Sequence, residues 1–178
     1  MNTHMKKLKY LFMLCVVALG LVACNSEDLD YDIEYTAIHP LGGTYKVIVY
    51  ADGVDVTSST SRITMTIANT IYNDANKCWL RVGTYAQSND YCINGKIDCN
   101  VSALTFSGSN IENLAGNVAS SSETFTLTDG KLELKGVTAP SGTVADKITF
   151  TYTTTKNPGV TYRVEGYRYT GWSEDNYK

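Results

Sequence analysis

The feature that most constrains this chain is an alternation of apolar and polar residues with a period of two, from Gly43 almost to the C-terminus. Successive side chains of a β-strand point to opposite faces, so this alternation indicates strands with one buried face and one solvated face. The segments are rich in Thr, Val, Ile and Tyr, which favour strands. We therefore predict an all-β fold with candidate strands at residues 44–51, 62–71, 78–86, 91–100, 103–108, 122–128, 131–136, 147–155 and 160–169.

Turn signals between these segments predict antiparallel hairpins in series. They are Asp52-Gly53, Ser88-Asn89-Asp90, Asp129-Gly130 and Asn157-Pro158-Gly159. Strands with one apolar face must close into a barrel or split into a sandwich, because an open sheet leaves edges exposed. Sequential hairpins favour an up-and-down barrel of about eight strands. Residues 107–121, rich in Ser, Asn and Gly, are expected to be a mobile connection.

The first 23 residues have the parts of a secretory signal. Lys6, Lys7 and Lys9 precede an apolar run over residues 11–22, which is too short to anchor the chain as a membrane-spanning helix. The ending Leu21-Val22-Ala23-Cys24 resembles a bacterial lipobox, in which the cysteine receives a lipid before cleavage. An ordinary cleaved signal peptide that leaves Cys24 as a free thiol is the alternative. We expect a signal peptide over residues 1–23, an acidic tether over 24–42 and the folded domain over 43–178; the alternation of residues in the tether also fits one early strand.

Charge and the residues after Cys24 bear on the location of the protein. Asn25-Ser26-Glu27-Asp28 resembles the acidic signal that sends lipoproteins to the cell surface in Bacteroidetes-type bacteria. The formal net charge is −3, and loss of the signal lysines makes the chain more acidic, which argues against nucleic-acid partners. We expect a lipid-anchored protein of the outer membrane, exposed at the cell surface, that meets the membrane through its acyl chains.

Four segments together resemble a known family of Bacteroidetes lipoproteins. They are GTYKVIVYADG (residues 43–53), CWLRVG (78–83), CNVSALTFSG (99–108) and YRVEGYRYTGW (162–172). This pattern resembles the lipid-binding putative hydrolase family. The resemblance implies a lipocalin-like, calycin-type β-barrel, and it supplies no catalytic residue.

The residues needed for catalysis or metal binding are scarce. The chain has two histidines, and only His39 follows the signal segment, so a Ser-His-Asp hydrolase is not expected. Zinc needs clusters of Cys and His, and the spacing of Cys92 and Cys99 does not supply one. We expect a protein without metal or cofactor that is not an enzyme, with weak hydrolase activity as a third choice.

Aromatic residues are the strongest candidates for binding. Six residues of the predicted barrel interior are candidate ligand contacts, with plain core packing as the alternative: Tyr45, Phe106, Phe150, Tyr152, Tyr162 and Val164. Three near the C-terminus are candidates for an exposed interface: Tyr167, Tyr169 and Trp172. The favoured function is a binding module for a small apolar or amphipathic ligand held at one barrel mouth. The alternative is an accessory lipoprotein that docks onto an outer-membrane protein or a glycan.

Three cysteines follow the tether, and hairpin geometry suggests a pair. If Ser88 and Asn89 form a two-residue loop, Cys78 lies opposite Cys99. A disulfide between them is then possible in an exported chain. Cys92 would remain a free thiol.

Overall fold

The computed structural model describes residues 34–178, and the predicted signal peptide and Cys24 lie outside the described residues. The described chain contains nine strands, numbered in chain order: β1 Gly43–Ala51, β2 Val54–Asp55, β3 Ile63–Asn69, β4 Lys77–Val82, β5 Ile93–Asn100, β6 Thr105–Glu112, β7 Thr124–Thr138, β8 Val144–Thr154 and β9 Tyr162–Arg168. A short 3₁₀ turn at Ser173–Asn176 follows β9. Over residues 34–178, no helix has the length and apolar character of a membrane span.

The strands form a closed antiparallel barrel. Apart from β2, each strand pairs with the next along the chain, and β1 also pairs with β9, which closes a ring of eight. Strand β2 is an extra strand that forms a small hairpin with β1 across Asp52-Gly53. The prediction of an all-β, up-and-down, lipocalin-like barrel is confirmed.

Gly166 is required at the seam where β9 meets β1. A Cβ atom built on Gly166 would lie 2.1 Å from the carbonyl oxygen of Lys46 and 2.7 Å from Cα of Val47. A side chain here would therefore push the two closing strands apart. The glycine provides close approach rather than room for a ligand.

The inward faces of the strands form one packed core. Val47, Met65, Leu80, Ile148 and Val164 are at most 1% exposed, and all belong to a single cluster that includes residues of every strand except β2. Their neighbours in sequence point outward, as the alternation predicts. The period-two pattern therefore locates most of the core.

Strand β7 corrects two predictions. Asp129-Gly130 does not form a hairpin, because β7 continues through it with a register shift against β8 and with Asp129 in the left-handed region at φ 56°. This is a β-bulge, where Asp and Gly are favoured for the same reason as in a turn. The alternation places Leu134 on the same face as the buried Leu132, yet Leu134 is 53% exposed near the far end of this long strand.

The connection predicted over residues 107–121 is shorter than expected. Residues 107–112 belong to β6, which pairs with β7 through two register shifts. The loop proper begins at Asn113, whose buried side chain donates from Nδ2 to the carbonyl of Cys92 (3.2 Å) and accepts from the backbone N–H of Asn94 (3.0 Å). Serine and glycine in this segment indicated a loop, but the bulged strand accommodates them.

The predicted pairing of Cys78 with Cys99 across β4 and β5 is wrong by two residues. Cys78 pairs with Ile97 rather than with Cys99, and Leu80 pairs with Gly95. The loop between β4 and β5 spans residues 83–92, so the turn is not the two-residue loop assumed for Ser88 and Asn89. Cys78, Cys92 and Cys99 are all buried free thiols in the structure.

One end of the barrel is covered by the segment before β1. Ile38 and Leu41 are at most 1% exposed and belong to the core cluster, so the folded domain begins before the predicted boundary at residue 43. Arg168 holds this segment in place, donating from Nη1 to the carbonyl of Gly42 (2.7 Å) and from Nη2 to the carbonyl of Pro40. Its Nε donates to Asp146 (2.8 Å). The end of the barrel near residues 36–41 is therefore closed by the chain itself.

Candidate functional site

The six interior residues predicted as ligand contacts lie in the barrel core. Each is at most 3% exposed: Tyr45, Phe106, Phe150, Tyr152, Tyr162 and Val164. Their aromatic rings contact one another in a row that begins with Phe106 edge-on to Phe150 (centroids 5.6 Å apart) and ends with Tyr152 stacked on Tyr162 (4.9 Å). These contacts are core packing, the alternative raised for them. Tyr45 lies outside this row.

Tyr45 lies at the closed end. Its hydroxyl donates to the carbonyl of Leu41 (2.6 Å) and accepts from Arg168 (3.0 Å). Burial raises the pKa of Tyr45 to about 12, although the positive charge of Arg168 acts in the opposite direction. Tyr45 therefore stays neutral at physiological pH and serves to hold the covering segment.

Tyr162 lines an open cavity of about 450 Å³ at the other end, and Tyr152 is stacked on Tyr162. We call this the mouth cavity; it is lined by Ala51, Asp52, Val56, Asn89, Asp90, Tyr91, Asn157, Val160 and Tyr162. Tyr152 donates a hydrogen bond from its hydroxyl to the carbonyl of Tyr91, and burial raises the pKa of Tyr152 well above its usual value. Tyr162 accepts a hydrogen bond from Nδ2 of Asn157 (2.9 Å). The floor of the mouth cavity is thus an ordered aromatic layer.

Loops from three hairpins meet around the mouth cavity, and hydrogen bonds hold them together. Lys156, after β8, donates to the carbonyl of Ser88 (2.8 Å) and lies 3.5 Å from a carboxylate oxygen of Asp90. Asp52, after β1, accepts from the backbone N–H of Thr161 (3.0 Å). The walls are apolar where Ala51 and Val160 are half-buried, and the rim is polar. Such a cavity suits one small molecule with an apolar part and a polar end.

The sequence interpretation missed Tyr91 and Val160 as site residues. Tyr91 was predicted to lie in a strand, whereas it lies in the loop before β5, and Val160 precedes β9. A usable signal was present, since in an up-and-down barrel the turns at residues 52–53, 88–90 and 157–159 fall at the same end. Residues next to those turns are the ones that surround a mouth.

The three predicted interface residues differ in exposure. Trp172 is 58% exposed, and Tyr169 is half-buried with the ammonium group of Lys46 over its ring (4.9 Å). Tyr167 points outward as predicted but is only 3% exposed, so its assignment to an exposed patch is wrong. The C-terminal segment covers it, and its hydroxyl donates to the carbonyl of Asp175 (2.9 Å).

Groups that serve as nucleophiles, bases or metal ligands are unfavourably placed in the described residues. Burial raises the pKa of the thiols of Cys78, Cys92 and Cys99, which disfavours the reactive thiolate. His39 is exposed and stacks on Tyr35 (centroids 4.1 Å apart). Over residues 34–178, no three His, Cys, Asp or Glu side chains come together in a way that would hold a metal ion.

The fold and the mouth cavity define a small lipocalin-like barrel with one covered end and one open end. Comparison with protein families matches residues 30–173 to the model of the lipid-binding putative hydrolase family. Because this match covers most of the chain, the protein belongs to that family. The comparison with curated proteins gives no match.

Proposed function

We propose that this protein is a lipid-anchored lipoprotein of the cell envelope, exposed at the outer-membrane surface, that binds one small apolar or amphipathic ligand in the mouth cavity. The observation that carries the ligand proposal is the cavity of about 450 Å³ above the Tyr152–Tyr162 stack. Membership of a lipid-binding family supports the same class of ligand. The apolar part of the ligand contacts Tyr91 and Val160, and its polar end lies at the rim.

The packed core limits how deeply the ligand enters. Phe150, Tyr152 and Tyr162 pack against one another in the barrel core and are at most 2% exposed. A ligand that penetrated the barrel would have to displace these rings, at a cost of several kcal/mol of buried apolar surface. Binding is therefore shallow, and the ligand is compact or leaves part of its chain outside the mouth.

The ligand proposal is tested by filling the mouth cavity. Val160 is half-buried in the cavity wall, so Val160→Trp places an indole where the ligand would lie. The matched control is Val144→Trp, because Val144 is 57% exposed at the start of β8, away from the mouth. The neutral fluorescent probe N-phenyl-1-naphthylamine should bind wild type and Val144→Trp, with at least about tenfold weaker binding to Val160→Trp, a loss of about 1.4 kcal/mol. If both variants are folded and bind the probe equally well, the mouth cavity is not the binding site.

We propose that the protein acts by binding and not by catalysis, despite the word hydrolase in the family description. The raised thiol pKa values and the exposed position of His39 support this. Purified protein should release p-nitrophenol from p-nitrophenyl butyrate no faster than buffer does. Saturable hydrolysis that survives repurification would contradict the proposal.

Membrane attachment through Cys24 is tested separately, by replacing Cys24 with Ala. Acyl chains contribute about 0.8 kcal/mol per buried CH₂, so their loss should release the protein from the membrane fraction. Protease shaving of intact cells then tests surface exposure. Unchanged membrane retention of the Cys24→Ala variant would contradict the anchor.

A second candidate function is docking onto an outer-membrane protein or a glycan. The exposed Trp172, next to the half-buried Tyr169, is the observation that favours it. A photo-crosslinking residue at position 172 should then form a defined adduct in intact cells, whereas the same residue at the exposed position 144 should not. Identical patterns at both positions would argue against docking through this patch.

A further inference from the structure

The outer surface of the barrel carries a second cavity, of about 400 Å³, that has no role in the proposed function. Its floor is a row across three neighbouring strands, because Thr66 of β3 pairs with Arg81 of β4, and Arg81 pairs with Asn94 of β5. Trp79 lies two residues before Arg81 and so faces the same outward side. We call this the outer pocket.

Loops build the walls of the outer pocket. Tyr85, from the loop after β4, forms one side, and Asn117 with its neighbours after β6 forms another. The second wall is fixed to the sheet, since Leu114 donates its backbone N–H to the carbonyl of Asn94 (2.8 Å). The pocket is thus built from ordered elements and is not a dip between loose side chains.

Arg81 is the unusual residue of the outer pocket. Its guanidinium lies 3.8 Å from the centre of the Tyr85 ring, and within residues 34–178 its buried Nε has no hydrogen-bond partner. It is the one such buried side-chain atom in the described chain. No Asp or Glu is among the described residues that line the pocket. Arg81 is therefore a permanent cation to which the described residues offer neither a carboxylate nor an acceptor for Nε, and an anionic ligand in the pocket would supply the missing negative charge to its terminal nitrogens.

A second outward arginine shows what Arg81 lacks. Arg163 of β9 also lies over a tyrosine ring, that of Tyr50 at 4.3 Å, but it is paired with Glu165. The two sites therefore share a cation on an aromatic ring and differ in whether the protein supplies the anion. At Arg81 that position is left for a ligand.

The remaining groups indicate what is attached to the anion. Trp79 offers an aromatic surface, and Lys96, its partner across β4 and β5, adds a positive charge 5.6 Å from the indole. Asn94 and Asn117 supply amide donors and acceptors that suit hydroxyl groups. We propose that the outer pocket binds an acidic saccharide, with its carboxylate on Arg81, its hydroxyl groups on the asparagine amides and its ring against Trp79.

Trp79 makes the proposal measurable, because the chain has two tryptophans and Trp172 can be changed to Phe. In that background, tryptophan fluorescence reports on Trp79 alone. Titration with D-glucuronate should change the emission saturably, and D-glucose, which lacks the carboxylate, should bind at least about tenfold more weakly. Octanoate, a carboxylate without a sugar ring, distinguishes an acidic saccharide from an apolar acid.

The variants Arg81→Gln and Arg163→Gln complete the test. Arg81→Gln should weaken glucuronate binding at least about tenfold, whereas Arg163→Gln should leave it unchanged. Equal binding of glucose and glucuronate, stronger binding of octanoate, no saturable change with glucuronate, or equal effects of the two variants would each overturn the proposal. Val160→Phe, which narrows the mouth cavity without adding a tryptophan, should not alter glucuronate binding, so the outcome is independent of the mouth cavity. Circular dichroism confirms that each variant is folded.

Discussion

Replacing Arg168 with Met should destabilise the protein by opening the covered end of the barrel. The substitution keeps the aliphatic stem and removes the guanidinium, which donates to Asp146, to two backbone carbonyls and to the hydroxyl of Tyr45. The ion-paired side chains are only 29% and 18% exposed, for Arg168 and Asp146 respectively. The loss of stability on Arg168→Met should therefore exceed the loss caused by removing a surface ion pair.

The size of the effect follows from those contacts. Hydrogen bonds to charged groups contribute about 1.5–3 kcal/mol each when buried, and partial exposure reduces this. Asp146 also keeps one hydrogen bond after the substitution, from the backbone N–H of Lys135 (2.9 Å). We expect a total loss of about 2–4 kcal/mol in the free energy of unfolding, or a fall in Tm of about 6–12 °C for a domain of this size.

Urea denaturation followed by tyrosine and tryptophan fluorescence measures this loss. The matched control is Arg163→Met, because Arg163 is 49% exposed in its pair with Glu165 and should cost at most about 1 kcal/mol. If the two variants lose the same stability, Arg168 does not hold the covering segment.

Two further predictions concern buried polar and sulfur groups. Asp175 accepts hydrogen bonds from Ser141 and Thr170; burial alone would raise its pKa, but these bonds outweigh burial and hold the pKa of Asp175 below its usual value. Its stabilising effect is therefore present above the unfolded-state pKa and is lost as pH falls through the lower folded-state pKa. Asp175→Asn should cost about 1 kcal/mol at pH 7 and progressively less below about pH 4 in urea denaturation, and a constant difference would contradict this. Ellman's reagent should react slowly with the native protein. Without prior reduction it should react quickly with three thiols of the unfolded domain, those of Cys78, Cys92 and Cys99. A count of one thiol would indicate a disulfide.

The alternation of residues predicts the fold because it is a local property that each strand carries by itself. Val47 and Val49, for example, face the core on the parity that the sequence indicates. Register depends on the length of each loop, which is why Cys78 lies opposite Ile97 and not Cys99. Asp129-Gly130 shows the same limit, since a bulge and a turn favour the same residues.

The candidate sites were harder to predict because they depend on contacts between distant segments. Tyr167 has the outward parity expected of a surface residue, yet the C-terminal segment folds over it. Ile38 looks like part of an acidic tether in sequence, yet it packs into the core. The buried Nε of Arg81 has no hydrogen-bond partner, and its guanidinium lies against Tyr85 of the loop after β4. The alternation along the strands does not predict this contact with a loop residue.

The central claim is that an apolar or amphipathic molecule binds at the open mouth, and mapping of backbone amide shifts by NMR tests it most directly. Titration with N-phenyl-1-naphthylamine should shift amides around Ala51, Tyr91 and Val160, which line the cavity, and leave those of Ile38 and Leu41 unchanged at the closed end. Saturable shifts confined to the mouth are the result that the account predicts. Shifts centred on the closed end or the outer pocket, or no saturable shifts, would contradict it.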